Sequence, residues 1–313
     1  MSLVLRKAGE FFHRVVASSR FGSRIYIGML HHVSRRLSQK GQQRLRNSIN
    51  SVRWPEISLP SRVVTLGERT DVRLHPHFHE FDLEAALSRR LHYEQEVFAF
   101  LETRMANYQS VIEIGANVGV FTLFFARWLI RRKRPGNVFA FEPSRCVYQR
   151  LLQNLGVNHT TNVVVINCAV GREMGFFPFF EPEDHLTNGS LDAAFAEQFS
   201  SNVKALPVLV INGNLIESLP GLEDPVLLKM DCEGAEARVL SSLEAFIRSH
   251  RPEIVIEVLP RYAAELNGLT FLKTAGYQFF NITPAGLVAQ ERLIAGDHRD
   301  YFLSATTPSG ASN

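Results

Sequence analysis

From residue 110 onward, short hydrophobic runs alternate with longer segments whose apolar residues recur at helical spacing. The pattern predicts strands over 110–114, 137–141, 163–170, 225–231 and 253–258. Helices are predicted between them, over 119–132, 147–155 and 235–248. Further strands fall over 175–181 and 204–211, around a polar segment that contains His185 and Asn188–Leu191. A last helix over 262–275 precedes strands over 277–283 and 301–306. Unbroken apolar strands alternating with amphipathic helices predict an α/β fold, a doubly wound, mostly parallel sheet covered on both faces. The run 111–130 is long enough to span a bilayer. Glu113, Asn117 and Arg127 would then sit in lipid, so strand, glycine turn and helix account better for the same residues.

The chain before residue 110 reads differently. A helix over 92–105 leads into the first body strand, and 62–66 with 70–74 form a small hairpin around Gly67. Upstream, Ile25, Met29, Val33 and Leu37, with Tyr26 and Leu30, make a helical stripe opposite Arg24, Arg35 and Ser38. That stripe is expected to pack on the body, with attachment to an anionic membrane surface as the second reading. The expected organisation is a basic helical N-terminal extension (1–60), a main domain (61–306, lead-in 61–91) and a disordered tail (307–313).

Charge supports that division. Residues 1–53 hold eleven Lys or Arg against one acid, Glu10, a balance of 11 − 1 = +10. The remainder holds 34 − 11 = 23 basic and 31 − 1 = 30 acidic residues, a balance of −7. His13, Arg14, Arg20 and Arg24 interrupt any secretory apolar core, although the Arg- and Ser-rich start shares features with organelle transit peptides. Cys146, Cys168 and Cys232 form no C-x-x-C pair, which fits a reducing compartment. A cytoplasmic protein with membrane-peripheral attachment as the variant is the expectation.

In doubly wound sheets, ligands bind at the carboxyl ends of the strands. The first such turn runs Glu113-Ile114-Gly115-Ala116-Asn117-Val118-Gly119. Gly115 and Gly119 permit close approach to backbone, and the following helix offers free N–H groups. Glu142, ending the second strand, can accept the hydroxyls of a ribose. A nicotinamide dinucleotide would require glycine where Asn117 and Val120 stand, and its pyrophosphate would meet Glu113. An acid there suits a cationic ligand with an amino-acid end. S-adenosylmethionine has an ammonium, a sulfonium and a ribose but no phosphate.

Taken together, VIEIGANVGVFTLFFA (111–126), VFAFEPS (138–144), NCAVG (167–171), NGSL (188–191), LLKMDCEGAEARVLSSL (227–243) and PEIVIEV (252–258) resemble the FkbM family of S-adenosylmethionine-dependent methyltransferases. The resemblance covers residues 92–283. It implies the class I, Rossmann-like sheet of seven strands, one antiparallel, and methyl transfer to a hydroxyl, often on sugars or polyketide-like products. It also implies that Tyr93 or Glu94 closes over the cofactor, and that Cys168-Ala169 lies against its adenine. Asn212 and Asn214 stand where the family commonly has an acidic residue, so that segment's role does not carry over.

The acidic turn after the strand 225–231 is the second chemical feature. Strand alternation puts Lys229 and Asp231 on one face, so they can pair. Asp231, Glu233 and Glu257 lie at strand ends, where a carboxylate can take the proton of an attacking alcohol. Glu236 has an alternative as an acid favoured in a helix's first turn. Asp231, Glu233 and Glu257 could also hold a divalent cation. His75, His77 and His79 alternate and would share a face on a strand, a weaker metal-site candidate. Cys146 and Cys232 read as ordinary buried thiols. The expected activity is O-methylation of a sugar, glycan or small natural product. The alternatives are an N-, protein or RNA methyltransferase, or a cofactor-binding scaffold docked through its basic arm. No specific nucleic-acid partner is expected.

Overall fold

The computed structural model describes residues 12–13, 15–54 and 58–308. The chain forms two compact units, Met1–Tyr93 and Glu94–Asn313. The lead-in segment, grouped from sequence with the larger domain, clusters with the N-terminal helices.

In the first unit, helix α1 (Arg20–Ser34) starts at Ser19, whose hydroxyl accepts the Gly22 N–H at 3.1 Å. Helix α2 (Gln39–Asn50) starts at Ser38 in the same way. Strands β1 (Arg62–Leu66) and β2 (Thr70–Leu74) form the expected antiparallel hairpin. The core gathers Ile27, Ile49, Trp54, Leu59, Leu83 and Leu87, with Tyr26 and Leu30 half-buried against it. One expectation fails here. Ile25, Met29, Val33 and Leu37 are 45, 57, 59 and 42% exposed, because Ile27, His31 and Ser34 form the packed side of α1.

In the second unit, helix α3 (Gln95–Arg104) begins three residues later than predicted. Then follow β3 (Ser110–Ile114), α4 (Val120–Ile130), β4 (Asn137–Phe141), α5 (Arg145–Val157), β5 (Val163–Ile166), β6 (Ala169–Gly171), β7 (Gly175–Pro182) and β8 (Val203–Asn212). The chain ends through β9 (Val226–Met230), α6 (Glu236–Ser242), α7 (Glu244–His250), β10 (Glu253–Glu257), β11 (Gln278–Thr283), β12 (Gly286–Gln290) and β13 (Asp300–Ser304). The main sheet has the order β12-β11-β13-β10-β9-β3-β4-β5. It has eight strands rather than seven, since β12, unmarked in the sequence, pairs antiparallel with β11. Strands β10, β9, β3, β4 and β5 are parallel, and β13 runs antiparallel between β10 and β11.

The predicted strand 163–170 breaks in two. Asn167 donates to the Glu142 and Pro143 carbonyls at 2.8 and 3.1 Å. The turned chain sends β6 into a second sheet, β6-β8-β7. The predicted helix 235–248 is interrupted at Leu243, where Gly213 lies so close to the Ser242 carbonyl that a Cβ would sit 2.5 Å from it. The helix expected over 262–275 divides around Gly268 into Ala263–Asn267 and Thr270–Thr274.

Alternation along the strands separates the two faces of the main sheet. One face is apolar: Ile112, Ile114, Leu228, Met230, Ile254 and Ile256 belong to a single buried cluster. The other face carries Glu113, Lys229, Glu253, Glu257 and Asp300. Register sets Glu113 beside Lys229 and Glu257 beside Asp300. One face of the sheet therefore carries ionisable side chains at both of its ends.

Candidate active site

The chain leaves β3 toward β4 on one side, while β9 lies on the other, so the topological switch falls between β3 and β9. At their carboxyl ends the two loops touch: a Cβ on Gly115, φ +86°, would lie 1.8 Å from the Asp231 carbonyl oxygen. Only glycine fits there. Gly115 and Ala116 donate to the Phe141 carbonyl at 3.0 and 2.9 Å, and Gly119 caps α4.

Glu142 lies on the far side of this loop, 6% exposed. Its carboxylate accepts from Asn117 N–H at 2.9 Å and Ser144 N–H at 2.8 Å. Burial nonetheless pushes it up to about 7, with Glu181 and Asp231 adding to the effect. The two bonds leave carboxylate lone pairs for ribose hydroxyls. Gly115, Asn117, Glu142, Cys168, Ala169, Asp231 and Glu233 all line one crevice, walled by Phe141, Val147 and Phe179. A polar rim over an apolar slot suits a nucleoside with a charged tail, so these residues fit S-adenosylmethionine.

Glu113 is placed differently from its sequence reading. It is 1% exposed and absent from the crevice wall. Thr122 donates to it at 2.6 Å, and burial pushes it up to about 8 even with Lys229 nearby. Glu94 precedes α3 in a left-handed conformation, φ +40°. Tyr93 stacks on Phe81 at 4.7 Å within the first unit.

Beside the crevice, Lys229 pairs with Asp231 at 3.3 Å and lies 4.4 Å from the centre of the Phe121 ring. Burial opposes its charge, but Asp231, Glu94, Glu113 and Asp300 outweigh that and hold the ammonium above its ordinary range. Asp231, Glu233 and Glu257 each place one carboxylate oxygen within 4.8 Å of the others. Burial, then Asp231 and Glu257, push Glu233 well above the carboxylate range. Burial, then Asp231 and Glu94, push Glu257 up to about 8. Asp300 is raised too, by burial and then by Glu94 and Glu257. One buried lysine thus serves several carboxylates.

Glu236 proves to be a backbone ligand. Fully buried, it accepts the N–H groups of Cys232 at 2.8 Å and Gly234 at 3.1 Å. Glu233 itself is held in a left-handed conformation, φ +52°, by a hydrogen-bonded clasp. Tyr262 donates to Asp192 at 2.8 Å, Asp192 N–H to Ser190 Oγ at 2.9 Å, and Ser190 Oγ to the Glu233 carbonyl at 2.7 Å. Asn117 donates to the Thr187 carbonyl at 3.1 Å, so residues 187–192 bridge the glycine loop and the acidic turn. The sequence set 188–191 only within a polar segment and pointed to neither Asp300 nor the clasp. Neither carries a local motif; pairing of β13 with β10 alone brings Asp300 to Glu257.

Other candidates fall away from this site. Among the described residues, no other cluster of three metal-ligating side chains forms, and His77 instead pairs with Asp82 at 2.7 Å. Asn212 caps the turn after β8, accepting from Asn214 N–H at 2.9 Å. Cys146 is exposed rather than buried, and Cys232 is half-buried with its thiol on the Ile114 carbonyl.

This sheet order, with its glycine turn and its acid after the second strand, defines a class I methyltransferase. A family model of the methyltransferase FkbM domain matches residues 113–279, more than half of the chain. The chain belongs to this FkbM family of S-adenosylmethionine-dependent methyltransferases. Methyltransferase 1 of Beauveria bassiana (strain ARSEF 2860) is 23% identical over 190 residues, 53% of this chain and 71% of that protein. Methyltransferase sdnD of Sordaria araneosa is 28% identical over 160 residues, 43% of this chain and 60% of that protein. The crystal structure of Methyltransferase FkbM from Methylobacillus flagellatus KT aligns at 19% identity with a TM-score of 0.38, covering 63% of this chain and 43% of that one. The chain therefore spans less than half of that bacterial protein.

Proposed function

We propose that the chain methylates a hydroxyl of a sugar, glycan or small natural product. The observation that carries this reading is the carboxylate cluster of Asp231, Glu233 and Glu257 beside Lys229, at the rim of the cofactor crevice. S-adenosylmethionine, when bound, supplies an electrophilic methyl group on a sulfonium. Gly115, Asn117, Glu142, Cys168 and Ala169 would hold it. Asp231, fixed by Lys229, orients the acceptor hydroxyl; its Oδ1 is buried and accepts no hydrogen bond among the described residues. Glu257 would take the hydroxyl proton as the carbon–oxygen bond forms and the methyl–sulfur bond breaks, its electron pair leaving with the sulfur as a neutral thioether. A carboxylate raised to about 8 is a far better base than an ordinary one, near the optimum for transfer at neutral pH. Glu233 shares the proton across the cluster.

The three oxygens within 4.8 Å also support a second reading, a divalent cation that orients the acceptor instead. The test is a methyl-transfer assay against a panel of saccharides and hydroxylated natural products, with and without chelator. Full activity after chelation supports the carboxylate base and removes the metal. Wild-type turnover in both Asp231→Asn and Glu233→Gln overturns both. Methylation confined to amines overturns the hydroxyl reading.

A further inference from the structure

We propose that the outer face of α1 docks the chain on an anionic lipid surface. Phe21, Ile25, Met29, Val33 and Leu37 follow one another four residues apart along α1 and the turn after it, all 42% exposed or more. Positions four apart are neighbours on a helix, so these side chains form a continuous ridge. Arg20, Arg24, His32 and Arg36, each one residue earlier and each exposed, make a second ridge beside it. An apolar ridge flanked by cations is the composition of a helix that lies in a membrane interface.

This face is not waiting for the fold to cover it. The opposite side of α1 is already anchored: His31 bonds the Ala86 carbonyl at 2.9 Å and Ser34 donates to the Leu87 carbonyl at 2.6 Å. Ile27 fills the core of the unit. The helix is fixed on its inner side and apolar on its outer side. Nor can it insert across a bilayer, since no helix among the described residues is long and apolar enough.

Charge selects the occupant. Residues 11–53 contain nine Lys or Arg and no acid, a balance of 9 − 0 = +9. A second copy of this face would oppose cations to cations. A nucleic acid would meet the arginines but leave Phe21, Met29 and Val33 without an apolar partner. An anionic bilayer satisfies both ridges at once: headgroups for the arginines, acyl chains for the apolar row.

The experiment is flotation of the full chain with vesicles of phosphatidylcholine alone or with roughly 30% phosphatidylserine. Binding to the anionic vesicles at least about ten-fold tighter than to the neutral ones is expected, with release at high salt. Met29→Glu with Val33→Glu should abolish it, while Arg20→Gln and Arg24→Gln should each weaken it about five-fold. Circular dichroism and S-adenosylmethionine affinity, unchanged in these surface variants, show that the fold is kept. Equal binding to both vesicle types overturns the proposal, as does undiminished binding by the Met29/Val33 variant. A concentration-dependent dimer that Met29→Glu dissociates would assign the face to a second copy and overturn it too.

Discussion

Strand β10 carries a glutamate at each end of one face, Glu253 and Glu257, and the two live in opposite circumstances. At the amino end, Arg104 and Tyr108 both donate to Glu253, Ser304 Oγ lies 3.4 Å away, and Arg104 rests on the Phe302 ring at 5.0 Å. One cation meets one carboxylate, with hydrogen bonds on both oxygens. At the carboxyl end, Glu257 shares the buried Lys229 with Asp231, Glu94, Glu113 and Asp300, meets the half-exposed Arg299 besides, at 4.0 Å, and its carboxyl is driven up to about 8. A matched pair leaves no uncompensated charge, so the fold loses only when one partner is removed. A surplus of buried carboxylates opposes the fold and persists only where another requirement keeps it. The contrast marks the carboxyl end of the sheet as the candidate for the proposed chemistry.

The sharpest way to break this contrast is to neutralise each glutamate in turn. Glu257→Gln should lower kcat on the order of 10²- to 10⁴-fold, the usual worth of a general base, without lowering Tm. Glu253→Gln should do the reverse: an unchanged kcat, and a loss of about 2 kcal/mol in denaturant unfolding, since the pair is not fully shielded from water. If both variants lose activity alike, the two ends are not different in kind.

Two smaller effects sharpen the picture around the carboxyl end. In the proposed cofactor site Glu142 would have to be ionised to accept both ribose hydroxyls, and its carboxyl is raised to about 7. Affinity for S-adenosylmethionine should therefore weaken about ten-fold per pH unit below 7, as titration calorimetry can follow. Tyr262→Phe removes one link of the clasp on Glu233. It should reduce kcat about ten-fold while leaving the KM for cofactor nearly unchanged, since positioning is what the clasp supplies. A rise in that KM alone would place Tyr262 in cofactor binding instead.

The sequence exposed the carboxyl end of the sheet more fully than the amino end, for a physical reason. Glycine turns and strand-end acids are local: Gly115, Glu142 and Asp231 stand beside the hydrophobic runs that place them. The Lys229–Asp231 pair followed from strand alternation alone. Arg104, Tyr108 and Glu253 come together across about 145 residues of chain, through packing that no local pattern records. Asp300 is similar, brought to Glu257 only by an antiparallel neighbour. The main strands were readable because each is an apolar run between breakers. Breaks at Asn167, Leu243 and Gly268 were not, since they depend on what another segment presses against. The exposed ridge of α1 was misread because periodicity shows that a helix has an apolar side, not whether the fold covers it.

The surplus of carboxylates can be measured without knowing the acceptor. Burial, then Asp231 and Glu94, push the Glu257 carboxyl up to about 8 from the ordinary 4.5. Its protonated form is the one the fold favours, so its contribution to stability is complete below about 4.5 and lost as pH rises through about 8. Thermal melting from pH 5 to pH 9 should therefore show the wild type losing stability across that window. Glu257→Gln should flatten the decline and melt higher than wild type at pH 9, whereas Glu253→Gln should keep the wild-type slope. Identical slopes for wild type and Glu257→Gln would contradict the account.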